Sequence, residues 1–128
     1  MKLVTFLYNN KSSVGALTDG GIIPAADQYQ GNASMQRFLA DGEDAMKDLA
    51  SRIEQPQQQL PLGEVRLLAP VLKPDKFFGV SLNYADHIAE TGLEQPEYPT
   101  FFNKQNSCVI GQGEAIHLPN VSEKLDYE

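Results

Sequence analysis

The stretch "FFGVSLNYADHIAETG", residues 77–92, is where the sequence points both to a fold and to a function. Its first six residues have the apolar composition of a strand, Asn83 favours a turn, and "ADHIAE" follows as a helical turn. On a helix, His87 and Glu90 are three residues apart and share a face. A carboxylate placed there can hold an imidazole in one tautomer, so that the histidine can accept a proton near neutral pH. The same spacing is common in surface ion pairs, and from the residues alone both interpretations stay open.

The rest of the chain predicts an α+β fold. "KLVTFLY" at residues 2–8 resembles a strand, "NNKSS" supplies turn residues, "VGALT" returns and "DGG" turns again, which predicts a hairpin or meander. From Asp41, the expected N-cap, the apolar period becomes helical. The predicted buried face of this helix is Met46, Leu49, Ala50 and Ile53. Later strands are expected in "EVRLLAPV", "KFFGVSL", "TFFNK" and "SCVIGQG".

A change in composition near Pro70 divides the chain. Before it we predict a small strand-helix domain, residues 1–70, and after it a second domain, residues 71–128, rich in Phe, Tyr, Gly and Pro. The last residues, "VSEKLDYE", contain no helix stop and no closing strand. The second domain is therefore expected to be the beginning of a larger one.

Composition argues against several classes of function. The formal net charge is −7, and none of the 10 basic residues forms a run, so nucleic acid is not an expected partner. The apolar stretches are too short and too interrupted to span a bilayer. A single cysteine, Cys108, permits no internal disulfide and fits a reducing compartment, from which we predict the cytoplasm.

Several motifs, taken in order, resemble the fumarylacetoacetate hydrolase family. They are "FFGVSLNYADHIAETG", Pro99, "FFNK", "IGQGEAIHLP" and "LDYE". The resemblance covers residues 76–128, and residues 1–70 look like the variable N-terminal domain of longer members. It implies the start of a mixed β-roll that binds a divalent ion and usually forms a homodimer.

The resemblance also implies roles for four residues. His87 and Glu90 match the family's catalytic pair. Lys104 matches a residue near the mouth of the active site, where it would hold a substrate carboxylate or carbonyl, with packing or solvent exposure as the other interpretation. Glu128 matches a metal ligand, and carboxylate oxygens suit Mg²⁺, Mn²⁺ or Ca²⁺.

The function implied is that of a metal-dependent enzyme that hydrolyses a C–C bond in a diketo or acylpyruvate-type acid, as in aromatic catabolism. Isomerases, decarboxylases and dehydratases of the same family, acting on a 2-oxo acid, are the alternative. One carboxylate does not hold a cation that wants about six oxygen ligands. We therefore expect this chain to be the N-terminal portion of a longer enzyme and to be inactive alone.

Two non-enzymatic interpretations remain open. If the chain ends at Glu128, it is expected to be an interaction domain without catalysis. In a small β-rich binding domain, His87 would instead be a buried core residue.

Overall fold

The computed structural model describes residues 1–124, which divide into two compact units. The first comprises Met1–Leu72 together with residues 110–124, and the second is Lys73–Val109. The first unit includes residues from both sides of Pro70. The domain boundary near residue 70 therefore stays a prediction.

An antiparallel sheet forms the centre of the first unit. Its spatial order is β3-β2-β1-β4. The first two strands meet at Asn9 and Asn10, whose φ values of 48° and 60° are those of a two-residue hairpin turn that matches the twist of the strands. The predicted hairpin is confirmed. The strands are β1 (Lys2–Tyr8), β2 (Lys11–Thr18), β3 (Gly21–Pro24) and β4 (Arg66–Leu67).

Two helices cover one face of this sheet, α1 (Ser34–Ala40) and α2 (Gly42–Glu54). Alternating residues of the strands point to opposite faces, which gives the sheet an apolar cluster on each side. The cluster under the helices contains Val14, Ala16, Ile23, Ala25, Tyr29, Met35, Phe38, Ala45 and Leu49. The cluster on the other face is smaller and contains Phe6, Ile22 and Leu60.

Helix α2 begins directly after Asp41, the predicted N-cap, and its buried face includes the predicted Leu49 but not the predicted Met46. Asp41 occupies the N-cap position, but its side chain makes no capping hydrogen bond. The buried residues are Ala45 and Leu49, whereas Met46 is 38% exposed. The predicted apolar face was wrong at Met46, because small Ala45 rather than the larger methionine faces the sheet.

The second unit contains one strand pair and one helix. Strands β5 (Phe78–Ser81) and β6 (Thr100–Asn103) are antiparallel, and α3 (Ala85–Thr91) lies between them in sequence. These strands and the helix were predicted. The expected strand in "SCVIGQG" was wrong, because Asn106–Cys108 forms a short 3₁₀ turn.

The fold class is α+β, as predicted. Of the mixed β-roll that the resemblance implies, residues 1–124 contain the strand pair β5–β6. No helix in this part of the chain has the length and apolar character needed to cross a membrane.

Candidate functional site

A strand, a tight turn and a short helix present the His87–Glu90 pair. Between β5 and α3 the backbone passes through Leu82, a non-glycine residue with a φ of 50°. Such a left-handed conformation is uncommon outside glycine, asparagine and aspartate. Helix α3 then ends at Gly92, whose φ of 67° gives the left-handed C-cap that glycine adopts without a steric penalty. The local sequence thus specifies the end of the helix through Gly92, whereas the N-cap residue at its start, Tyr84, makes no side-chain capping hydrogen bond.

His87 and Glu90 lie on α3 and are both exposed. The residue of α3 that is buried is Ile88, at 7% exposure. The interpretation of His87 as a core residue is therefore wrong. Near the helix end, the Thr91 hydroxyl lies 3.0 Å from the carbonyl oxygen of His87 and 3.1 Å from that of Ile88, and it donates to these acceptors.

The two side chains share a helix face, as the three-residue spacing requires. Within residues 1–124, no hydrogen bond or ion pair joins His87 to Glu90. Hydrogen bonds of catalytic groups are often long before the substrate binds. The catalytic role of the pair stays a prediction.

Lys104 follows β6 directly and is half-buried. Its backbone N–H donates a 2.8 Å hydrogen bond to the carbonyl oxygen of Phe77, which extends the β5–β6 pairing by one step. Its ammonium nitrogen lies 5.6 Å from the centroid of the Phe102 ring, within the range of a cation–π contact. The backbone and the side chain of Lys104 are thus both held by the strand pair.

Glu128, the predicted metal ligand, lies outside the described residues. Among residues 1–124, no group of three or more His, Cys, Asp or Glu side chains is arranged to hold a metal ion. Taken by themselves the described residues therefore do not fit the divalent ion that the resemblance implies, and no chemical step below runs through one.

The clefts of the first unit do not include the predicted site residues. A polar cleft of about 320 Å³ is lined by residues of β3, α2 and the glutamine-rich connector. A second, of about 400 Å³, lies between β1, the segment 67–70 and residues 110–113. His87, Glu90 and Lys104 belong to the second unit, Lys73–Val109.

The sequence motifs assigned no function to two residues near Lys104. Phe102 is two residues before Lys104, and Gly79 is opposite Phe102 in the strand pair. The pattern Phe-x-Lys at the end of a strand places an aromatic ring and a cation on one face. That signal is present in "FFNK", but the facing glycine becomes visible only through the register.

Comparison with known proteins identifies relatives of both parts of the chain. The family description "Fumarylacetoacetate (FAA) hydrolase C-terminal" matches residues 76–128. Oxaloacetate tautomerase fahd2, mitochondrial, of Xenopus laevis is 33% identical over 133 aligned positions, which cover 100% of this chain and 42% of that protein. Oxaloacetate tautomerase Fahd2a, mitochondrial, of Rattus norvegicus is 37% identical over 95, covering 74% of this chain and 30% of that protein.

A solved structure shares the fold. The crystal structure of a protein assigned as HpcE from Mycobacterium smegmatis superposes with a TM-score of 0.63 at 26% identity, covering 94% of this chain and 41% of that one. The chain thus spans less than half the length of each of these proteins.

Proposed function

We propose that the protein this chain forms part of is an enzyme acting on a small 2-oxo acid, because residues 76–128 match the fumarylacetoacetate hydrolase family and the chain is similar to named enzymes. The reaction that we propose is keto–enol tautomerisation of a 2-oxo dicarboxylic acid such as oxaloacetate. The observation that carries this proposal is the similarity to two proteins named as oxaloacetate tautomerases, which extends over 74% and 100% of the chain. Both comparisons span more than the family match at residues 76–128.

Two residues of α3 carry the proposed reaction. The imidazole of His87 takes a proton from the carbon next to the keto group, and the electron pair of that C–H bond moves toward the keto oxygen. The protonated imidazole then gives that proton to the enolate oxygen, which forms the enol and returns His87 to its neutral state. No atom is lost or gained between substrate and product. Glu90, one turn along the same helix face, orients the imidazole and balances its charge when it is protonated.

Lys104 would hold a carboxylate of the substrate. Its ammonium group is a compact point charge with three donors, which suits a carboxylate oxygen. The backbone hydrogen bond to Phe77 holds the base of this side chain. Lys104 and the helix α3 belong to one compact unit, which supports a shared site.

Hydrolysis of a C–C bond in a diketo or acylpyruvate-type acid is the second candidate. The family description, which names a hydrolase, favours it. An enolate-like charge develops in both reactions, so the same histidine, glutamate and lysine could serve either. Hydrolysis additionally requires an activated water. Decarboxylation and dehydration of related 2-oxo acids are the further alternatives that the family resemblance implies.

The metal requirement, homodimerisation and compartment remain proposals. We propose that Glu128 is one ligand of a divalent ion, and a lower bound-metal content of Glu128→Gln in the full-length protein would support this. Analytical ultracentrifugation of that protein tests the homodimer. The names of the Xenopus and rat relatives include mitochondria, so cell fractionation must decide between that organelle and the predicted cytoplasm.

The test of the proposed reaction uses the full-length enzyme. Enol–oxaloacetate absorbs in the ultraviolet, and its conversion to the keto form is followed by the loss of that absorbance, with and without added Mg²⁺. We expect acceleration proportional to enzyme concentration. An acylpyruvate, assayed for release of pyruvate, distinguishes the second candidate. Turnover of the acylpyruvate without any effect on oxaloacetate would overturn the tautomerase proposal in favour of hydrolysis.

A further inference from the structure

We propose that Phe102 is a positioning residue that holds the ammonium group of Lys104 for a carboxylate ligand, and that Gly79 provides the place for its ring. The proposal rests on the proposed function, in which Lys104 binds a substrate carboxylate. It gives a positioning role to two residues that have no ionisable or nucleophilic side chain.

The register of the strand pair places Gly79 directly opposite Phe102. Side chains of directly opposed residues lie on the same face of an antiparallel pair. A Cβ atom added to Gly79 would lie 2.2 Å from Cζ of Phe102, and 2.5 Å and 2.8 Å from its two Cε atoms. The far edge of the ring therefore fills the space that a side chain at residue 79 would need.

Lys104 lies over the same ring. Its Nζ atom is 5.6 Å from the ring centroid. Residues 102 and 104 are two apart along an extended segment and so project to one face. The hydrogen bond from Lys104 N–H to Phe77 carbonyl keeps this segment in the ladder. Glycine, ring and ammonium thus form a stack built from two neighbouring strands.

This stack restricts a side chain that is otherwise flexible. A lysine side chain loses rotamer entropy when it is fixed in one position. Part of that cost is met before ligand binding, because the ammonium already rests on an aromatic face. Phe102 is 39% exposed, so the ring is accessible from solvent as a surface contact of this kind requires.

Phe101 is a matched control within the same strand. It is also a phenylalanine, it is 63% exposed, and it lies opposite Val80 on the other face of the pair. Replacing it by leucine removes the same number of aromatic atoms without touching the stack. Any general effect of losing a surface phenylalanine from β6 should appear in Phe101→Leu as well.

The test is a double-mutant cycle in the full-length enzyme, with Phe102→Leu, Lys104→Met and the double variant. Two quantities are measured: the Kd of oxalate by isothermal titration calorimetry, and the KM and kcat for oxaloacetate. We expect Phe102→Leu to raise the Kd and the KM about two- to fivefold, the change that an exposed cation–π contact gives, with kcat unchanged. In the Lys104→Met background the same change should have no further effect. Phe102→Tyr should restore the original values, and Phe101→Leu should leave them unchanged.

Gly79→Ala tests the place of the ring without deleting it. The added methyl group forces the ring away from β5, and we expect it to raise the Kd of oxalate in the same direction as Phe102→Leu. It also serves as the deciding variant if Phe102→Leu does not fold. A folded Gly79→Ala protein with the original Kd would then overturn the proposal.

Other outcomes separate this inference from the proposed function. An equal rise in Kd for Phe102→Leu with and without Lys104 would show a merely structural role and would overturn the inference. So would an unchanged Kd in Lys104→Met, or a failure of oxalate to bind at all. If oxaloacetate is not turned over but the oxalate cycle shows coupling, the inference stands and the tautomerase proposal fails.

Discussion

The hydroxyl of Tyr29 donates a 2.8 Å hydrogen bond to a carboxylate oxygen of Asp41. Asp41 lies at the junction of α1 and α2, and the Tyr29 ring packs edge-on against Phe38 of α1 at a centroid distance of 5.1 Å. The contact therefore ties the loop after β3 to both helices. It also explains why Asp41 does not cap α2 with its side chain: the carboxylate is committed to the tyrosine.

Because of this hydrogen bond, we expect the protein to lose stability as the pH rises into the alkaline range. The bond to Asp41, followed by burial of the phenol, raises the pKa of Tyr29 above its usual value of 10.0. A group whose pKa is raised by folding contributes stability below its unfolded pKa and loses that contribution as the pH rises through its folded pKa. The contribution should be complete below about pH 10 and should decline above it.

Tyr29→Phe isolates this effect. We expect a modestly lower melting temperature between pH 7 and 9, and a smaller loss of stability above pH 10 than in the unaltered protein. Thermal melts across that pH range measure both. Tyr8→Phe is the control, since Tyr8 also lies in the first unit but has no such bond among the described contacts. A parallel alkaline decline in Tyr29→Phe and the unaltered protein would contradict the account.

Because of the orientation of α2, we expect substitutions at two of its apolar residues to change the free energy of unfolding by different amounts. Leu49 is 0% exposed and Met46 is 38% exposed. We expect Leu49→Ala to lower the free energy of unfolding by about 2–5 kcal/mol, because it leaves a cavity under the helix. Met46→Ala should change it by about 0.5 kcal/mol or less. Urea unfolding followed by circular dichroism measures both, and similar losses would mean that Met46 is buried, as the sequence predicted.

At the start of β3, the backbone conformation of Gly21 and its contact with Leu60 leave no space for a side chain. Its φ is 128°, and a Cβ there would lie 2.3 Å from the carbonyl oxygen of Leu60. That oxygen accepts a 2.8 Å hydrogen bond from the N–H of Ile22, so it cannot move away without breaking the bridge between the two segments.

We expect Gly21→Ala to destabilise the protein by about 1–3 kcal/mol, the range for a residue forced into an unfavourable conformation. Gly63→Ala is the matched control, because nothing lies within 4 Å of a Cβ at that position. It should change the free energy of unfolding by no more than about 0.5 kcal/mol. Equal stability of Gly21→Ala and the unaltered protein would show that Leu60 is not held where the structure places it.

How far the sequence predicts the structure depends on the range of the interaction that decides each feature. The hairpin of β1 and β2 follows from "NNKSS" and alternating strands, all within a few residues. Helix α3 lies where "ADHIAE" predicts it, although Tyr84 rather than Asn83 is its N-cap. The apolar face of α2 depends on a sheet that is distant in sequence, and the period alone admits Met46 as readily as Ala45. "SCVIGQG" has strand composition but finds no pairing strand among the described residues, so it turns instead.

The candidate site shows the same division. The spacing of His87 and Glu90 is enough to predict a shared helix face, and the "FFNK" motif singles out Lys104. The partner beneath the Lys104 ammonium, Phe102, and the glycine facing it could not be predicted, because the register of β5 on β6 is set by pairing across 20 or so residues.

The role of His87 is the central claim, and replacing it by asparagine tests that claim most directly. His117 is the control, as the protein's other histidine in these 128 residues and, like His87, exposed. In the full-length enzyme we expect His87→Asn to lower kcat for oxaloacetate tautomerisation by about 10²–10⁴-fold, the usual contribution of a general acid–base group, without changing the melting temperature. His117→Asn should keep its activity. Turnover by His87→Asn within a few-fold of the unaltered enzyme, at equal folding, would contradict the account.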